Sequence, residues 1–225
     1  MIARVEALIE RPEDAVIAVV GGTGDQGRGL ALRWARAGQE VVLGSRDEAR
    51  AAAAAASVGH GVRGAKNAEA VKAADVVVLA VPWEAHESTL LELRSMLNSR
   101  LLVDCVNPLG FDKQGPFALE VDAGSATQQA ADLLPETMVV GAFHHLSAEL
   151  LLDESVPSID SDVMVLGDVR AAVDLVIVLA GRIPGVRGVY AGRLRNAHQV
   201  EGLTANLIAT NRRYQTRSGI RVTGR

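Results

Sequence analysis

One cysteine, two tryptophans, two tyrosines and three phenylalanines are all that 225 residues contain of thiol and aromatic side chains. A lone thiol, Cys105, excludes an internal disulfide and any multi-cysteine zinc or iron–sulfur centre, and it suits a reducing cytoplasm. No apolar run nears the roughly 18 residues that a membrane span needs. Basic excess is lacking too: 23 Lys and Arg stand against 27 Asp and Glu, a net charge of -4. Neither nucleic acid nor a membrane is therefore an expected partner. There is no H-E-x-x-H and no Ser-His-Asp spacing of a hydrolase, and no metal is expected. Residues 1–14, MIARVEALIERPED, lack the unbroken apolar stretch of a signal peptide. With Val5, Leu8 and Ile9 at helical spacing, they predict an N-terminal extension forming a short amphipathic helix before Pro12.

What the chain has in quantity is short apolar runs, with hydrophobic residues making up 48%. Residues 15–20 form a largely β-branched run without polar alternation, the pattern of a strand buried on both faces of a parallel sheet. Helical periodicity follows over 25–37, and the alternation then repeats. Strands are predicted at 40–43, 62–66, 76–81, 101–106, 138–143 and 163–166, and helices at 46–57, 67–74, 83–97, 125–134, 169–180 and 193–214. Residues 109–124, with Gly110, Gly115 and Pro116, read as a long loop. This order predicts an α/β fold: a doubly wound, mostly parallel Rossmann-type sheet with a small C-terminal α/β appendage.

The turn after the first strand reads Gly21-Gly22-Thr23-Gly24-Asp25-Gln26-Gly27, so Gly22, Gly24 and Gly27 satisfy G-x-G-x-x-G between a strand and a helix. The first glycine turns the chain, the second lets a pyrophosphate approach the backbone, and the third lets helix and strand pack closely. The pyrophosphate then rests on the helix N-terminus. After the second strand, where a carboxylate would receive the ribose hydroxyls of NAD, stands Gly44-Ser45-Arg46. Arg46 and Arg50, read as one helical turn apart, offer two guanidinium groups to a 2′-phosphate, with Ser45 and Thr23 as hydroxyl donors. That pattern favours NADP over NAD. The alternative is a solvated helix face in which both arginines pair with Asp47 or Glu48.

Beyond the carboxyl ends of the later strands lie Val81-Pro82-Trp83, Asn107-Pro108 and His144-His145-Leu146-Ser147. Adjacent His144 and His145 point apart and do not readily share a metal. No Lys, Tyr or carboxylate-held His announces itself as a proton-transfer partner, so no catalytic acid or base is assigned; His144 and Asn107 are candidates for positioning. Hydride passing between two flat heterocycles needs mainly that they be stacked, which accounts for the lack if the acceptor is itself a cofactor.

The segments GGTGDQGRGLALRWARAG, VVLGSRDEAR, VVVLAVPWEAH, GAFHHLS and SGIRVTG, in this order from Val16 to the end, resemble the NADPH-dependent reductases of the 8-hydroxy-5-deazaflavin coenzyme F420. The resemblance implies reversible hydride transfer between C4 of the nicotinamide and C5 of the deazaflavin, in a cytoplasmic homodimer. It implies an NADP loop at Thr23, Gly24, Asp25 and Gln26, a 2′-phosphate clamp at Ser45, Arg46 and Arg50, and dinucleotide borders at Trp83 and Glu87. Asn107, His144, Leu146, Ser147 and Ala148 would form the floor where nicotinamide and deazaflavin meet, and Ser218 a C-terminal contact. Residues 15–143 would then be the NADP-binding domain, and 144–225 a smaller domain contributing to the deazaflavin site and dimer contacts. The chain departs from archaeal relatives, which read H-T-I-P at His144-His145-Leu146-Ser147 and Val-Pro at Asn107-Pro108.

Arg212, Arg213, Arg217, Arg221 and Arg225 follow Asn211 with no acid among them. They suit the phosphate and polyglutamate tail of such a ligand, or else form a solvated surface, with Arg213 and Arg217 read as sharing a helix face. Two other functions fit the same scaffold: an imine, flavin or metal reductase using NADPH, and a non-catalytic NADP-sensing module.

Overall fold

The computed structural model describes residues 2–224; Met1 and Arg225 lie outside the described residues. From the N-terminus come α1 (Ile2–Glu10), β1 (Val16–Val20), α2 (Asp25–Arg36), β2 (Glu40–Ser45), α3 (Glu48–Val58), β3 (Arg63–Lys66), α4 (Asn67–Ala73) and β4 (Val76–Leu79). Then follow α5 (His86–Leu97), β5 (Leu101–Asp104), the strands β6 (Leu109–Asp112) and β7 (Gly115–Ala118), α6 (Ala126–Leu133) and β8 (Met138–Gly141). The remainder is α7 (Ala148–Leu152), β9 (Ser161–Gly167), α8 (Arg170–Gly181), β10 (Val186–Gly192) and α9 (Ala197–Tyr214).

Among the described residues eight strands form one sheet, in the order β10-β9-β8-β5-β4-β1-β2-β3. All neighbours are parallel except β8 and β9. The apolar runs are continuous because both faces are covered. Ile17, Val19, Val41, Leu43, Val76 and Val78 pack into the layer of α1, α2, α3 and α8, whereas Ala18, Val20, Val42, Val77 and Leu79 pack into that of α4, α5 and α6. Burying each Val- or Leu-sized side chain stabilises the fold by about 1.5–3 kcal/mol. The expected amphipathic helix at the N-terminus is α1, which buries Val5 and Leu8, while Arg4 pairs with Asp75 at 2.9 Å.

Several local expectations change. Residues 109–124 are not one loop: β6 and β7 pair as an antiparallel hairpin. The glycines and proline that suggested a loop lie in its strands, Gly110 in β6 and Gly115 and Pro116 at the start of β7; Gly115 takes φ +123 where the turn ends, and the Asp112 carboxylate accepts the N–H groups of Gln114 and Gly115. Helix α3 starts at Glu48, capped by Asp47, so Arg46 precedes the helix instead of lying one helical turn before Arg50 within it. Helix α9 follows a 3-10 turn at Leu194–Asn196 and ends at Tyr214, so Arg217 is off the helix and shares no helical face with Arg213. Strand β10 and helix α7 went unpredicted. The first is an edge strand with exposed Arg187 and Tyr190 breaking its apolar pattern, and the second spans five residues, too few for a helical period to show.

Candidate active site

The carboxyl ends of β1, β2, β4, β5 and β8 open onto one cleft, at the switch point between β1 and β4. Two cavities, of about 440 Å³ and about 520 Å³, form its halves and share Asp25, Gln26, Ala80, Val81 and Pro82.

The first half is built on the glycine-rich turn. A Cβ on Gly22 would come 2.6 Å from Leu43 Cδ2, and one on Gly27 would come 2.7 Å from Gly22 Cα, so these two glycines serve the contact of α2 with the sheet. Gly24 differs: a Cβ there would meet nothing nearer than the Gly21 carbonyl oxygen at 3.9 Å, and Gly24 borders the cavity. It is the N-cap of α2 and provides no side-chain acceptor, which leaves the first N–H groups of a 12-residue helix to an anion. The negative charge of Asp25 in that turn is offset by Arg28 at 2.7 Å. Thr23, Ser45, Arg46 and Arg50 line the same half. Among the described residues no ion pair involves Arg46 or Arg50; the Asp47 carboxylate accepts the backbone N–H of Arg50 at 3.0 Å instead. Buried Asn67, read from sequence only as a helix start, contributes an unpartnered Oδ1 here.

Trp83, Asn107, His144, Leu146, Ser147, Ala148 and Ser218 come together around the second half. Its floor is held by the turn out of β8. Phe143 sits in the left-handed region at φ +65, a strain that persists because the residue is fixed from several sides. Its ring packs edge-on against Trp34 at 5.3 Å, and its carbonyl accepts from Gln26 Nε2 at 3.0 Å, tying the floor to the glycine-rich turn. The His144 carbonyl accepts from Asn107 Nδ2 at 2.8 Å and from Thr204 Oγ1 at 3.0 Å. Both ring nitrogens of buried His144, and Asn107 Oδ1, have no partner. Unmatched buried polar atoms are costly, so a ligand with donors and acceptors fits this floor.

Burial pushes the His144 pKa below the usual histidine value, against the opposing pull of Glu201 and Asp104. The neutral ring offers one donor and one acceptor. His145 also lines this half, with its Nε2 accepting the Met164 N–H at 3.3 Å, and burial together with His144 lowers its pKa to about 4. Cys105 also lines this half, but its thiol donates to the Leu79 carbonyl at 2.9 Å and burial pushes its pKa up, so it is inert. Among the described residues no group of three or more His, Cys, Asp or Glu is placed to hold a metal ion.

Beneath the floor lies a buried pair that sequence reading missed. His86 Nε2 meets Asp104 Oδ2 at 2.7 Å, and its Nδ1 meets Gln129 Oε1 at 2.8 Å. Burial alone would lower the His86 pKa; the hydrogen bond and charge of Asp104, helped by Gln129, outweigh it and raise the value. The other oxygen of Asp104 accepts the Val106 N–H at 3.0 Å and shapes the turn that carries Asn107, while Trp83 lies tilted over His86 at 5.3 Å. An acid inside the apolar run LLVDCV was the only available signal. Thr204, Leu207, Ile208 and Asn211 of α9 were likewise missed, since they reach the cleft only through the fold. Buried Arg33 fixes the neighbouring wall by donating to the carbonyls of Leu151 at 2.8 Å, Val156 at 2.7 Å and Asp153 at 2.8 Å, and to that of Leu150.

Two predicted residues do not line the cleft: Gly22 is packed inside the turn, and Glu87 lies on the exposed side of α5. Of the C-terminal arginines, Arg212 and Arg217 line a neighbouring cavity that shares Glu149, Ile208 and Asn211 with the second half, and Arg221 turns to β9. Arg217 pairs with Glu149 at 2.7 Å, Arg221 pairs with Asp160 and with Asp162 at 2.8 Å, Arg212 and Arg213 are exposed, and Arg225 lies outside the described residues.

Residues 16–108 match the family described as NADP oxidoreductase coenzyme F420-dependent. The chain is 43% identical over 219 residues to the F420-dependent NADP reductase of Methanothermobacter thermautotrophicus, covering 92% of this chain and 94% of that one. It is 35% identical over 220 residues to the enzyme of the same name from Methanocaldococcus jannaschii, covering 92% and 97%. A crystal structure from Arthrobacter sp. FB24, described there as a provisional F420-dependent NADP-reductase, superposes with a TM-score of 0.80 at 27% identity, covering 93% of this chain and 99% of that one.

Proposed function

Since the chain belongs to the F420-dependent NADP reductase family, we propose that its cleft holds NADP(H) and coenzyme F420 together for reversible, direct hydride transfer between nicotinamide C4 and deazaflavin C5. The protein is an NADPH-dependent oxidoreductase with NADP and F420 as its cofactors. The observation that carries the arrangement is the continuity of two cavities, one with an anion cradle and free arginines, the other with a buried polar floor.

In this reading Thr23, Gly24, Asp25 and Gln26 receive the pyrophosphate with the N-terminus of α2, while Ser45, Arg46 and Arg50 hold the 2′-phosphate. Trp83 flanks the dinucleotide. Asn107, His144, Leu146, Ser147 and Ala148 would line the place where the two rings meet, and Ser218 would bound its far side. When bound, the two heterocycles supply the redox chemistry, one as hydride donor and one as acceptor. The chain contributes alignment: its floor is tied through Gln26 to the nucleotide loop, so both ligands are positioned by one rigid segment. Neutral His144 and the Asn107 carbonyl provide hydrogen bonds without introducing a charge. We assign the nucleotide half to residues 15–143 and most of the deazaflavin wall to 144–225, and a cytoplasmic homodimer as the working form. Exposed Phe111 and Phe117 on the hairpin support self-association, which light scattering on a sizing column checks.

The test is to mix the protein with NADPH and F420 and follow the absorbance of the oxidised deazaflavin, with NADH and ordinary flavin as controls. Rapid bleaching with NADPH and F420 alone is expected. Tight NADPH binding without bleaching would overturn the assignment.

A further inference from the structure

After α9 the chain reverses at Gln215, whose φ is +50, and runs past the start of β9 as an extended strap over 216–224. Little apolar surface holds it, since only Ile220 and Val222 among its apolar residues are half-buried. Polar anchors hold it instead. Near its start the Ser218 N–H donates to Asn211 Oδ1 at 2.6 Å, and both residues line the second half of the cleft. Ile220 then bonds to β9: its carbonyl accepts the Asp162 N–H at 2.7 Å and lies 3.4 Å from the Ser161 hydroxyl, and its N–H is 3.3 Å from the same Ser161 Oγ. The approach is so close that a Cβ on Gly219 would lie 2.7 Å from Ser161 Oγ.

The main anchor is Asp162, a fully buried carboxylate. Arg187 donates to it at 2.7 and 2.8 Å, Arg221 at 2.8 Å and the Val222 N–H at 2.7 Å. A carboxylate taken out of water requires donors of this kind. Two of these come from the strap itself, so β9 and the strap depend on each other. The strap touches the half of the cleft with the buried polar floor and not the half with Arg46 and Arg50.

We propose that Asp162 and Arg221 are positioning residues for the deazaflavin ligand: they fix the strap so that Ser218 stands in the wall of its half of the cleft. The identity of that ligand rests on the functional reading above. The residues act through the strap and touch neither ligand.

The experiment compares the full-length wild type with Arg221→Ala, Arg221→Lys and Asp162→Asn. It measures the KM for F420, the Kd for NADPH, amide hydrogen exchange over 218–222 and Tm. Arg221→Ala should raise the KM for F420 about tenfold and speed exchange across the strap by a similar factor, with the NADPH Kd within about twofold. Arg221→Lys, which keeps the charge but not the fork, should fall between. Asp162→Asn should show the same split with a lower Tm. Unchanged exchange in Arg221→Ala would refute the anchor, and faster exchange with unchanged KM would refute the positioning role. Equal loss of both affinities would reduce Asp162 and Arg221 to general stability. A wild type that fails to bleach F420 would remove the functional reading, and the exchange data would still decide the anchor.

Discussion

In the proposed arrangement coenzyme choice rests on Arg46 and Arg50, and replacing both with alanine isolates one phosphate. Both are exposed at the cavity rim, and neither is engaged in an ion pair among the described residues. A hydrogen bond to a charged group contributes about 1.5–3 kcal/mol when well shielded, and solvent at the rim reduces this to about 1 kcal/mol for each guanidinium. Removing two therefore costs about 2 kcal/mol, or about 30-fold in affinity. The fold should not suffer, because the α3 cap uses the Asp47 carboxylate and the backbone N–H of residue 50, and neither is altered. Initial-rate kinetics should show the KM for NADPH rising about 30-fold, with NADH changed less than about twofold, because only the 2′-phosphate loses its partners. The wild-type KM for NADPH should also rise with added salt more steeply than that of the double variant. Equal losses with both coenzymes, or no loss with NADPH, would refute the clamp.

Gly24→Ala should fold normally, since its Cβ would meet nothing nearer than 3.9 Å, yet bind NADPH at least about tenfold more weakly; Gly27→Ala, whose Cβ would press on Gly22, should lose both Tm and binding. Thermal melts with NADPH titrations separate the two, and a stable Gly27→Ala that binds normally would contradict the packing. Replacing His144 with alanine orphans no partner of its ring, so kcat should fall modestly, by about tenfold, with its pH profile unshifted; complete loss with intact binding of both ligands would reveal an obligatory proton role. Acid stability has a defined window. The His145 pKa falls from 6.5 to about 4 on folding, so Tm should drop as pH is lowered from about 6.5 towards 4, where the unfolded chain takes the proton first. His86 has the opposite sign: its raised pKa stabilises fully below 6.5, and that contribution fades as pH rises through the folded value. His86→Gln should therefore flatten the alkaline side of the Tm profile.

The nucleotide half of the cleft was legible because its chemistry is local. A glycine-rich turn, a helix start and the end of the next strand lie within about thirty residues, so spacing alone brings Gly24, Ser45 and Arg46 to one edge of a parallel sheet. Continuous β-branched runs likewise specified strands covered on both faces, and hence helices on both sides. The second half was legible only where strand ends pointed to it, at Trp83, Asn107 and His144. Hydrophobic periodicity carries no direction, so it could not show that β9 runs against β8 and that β10 extends the sheet. Nor could spacing announce that His86 meets Asp104 under the floor, that Thr204 and Asn211 reach across from α9, or that Arg221 abandons the basic cluster for buried Asp162. These pairings join residues 18 to 60 positions apart, and their partners are chosen by which buried charges need donors once the layers have closed. Local geometry written along the chain specified the parallel core of the sheet and the glycine-rich edge of the cleft; burial in the assembled fold decided the floor and the far wall, because only there does an unmatched polar group become costly.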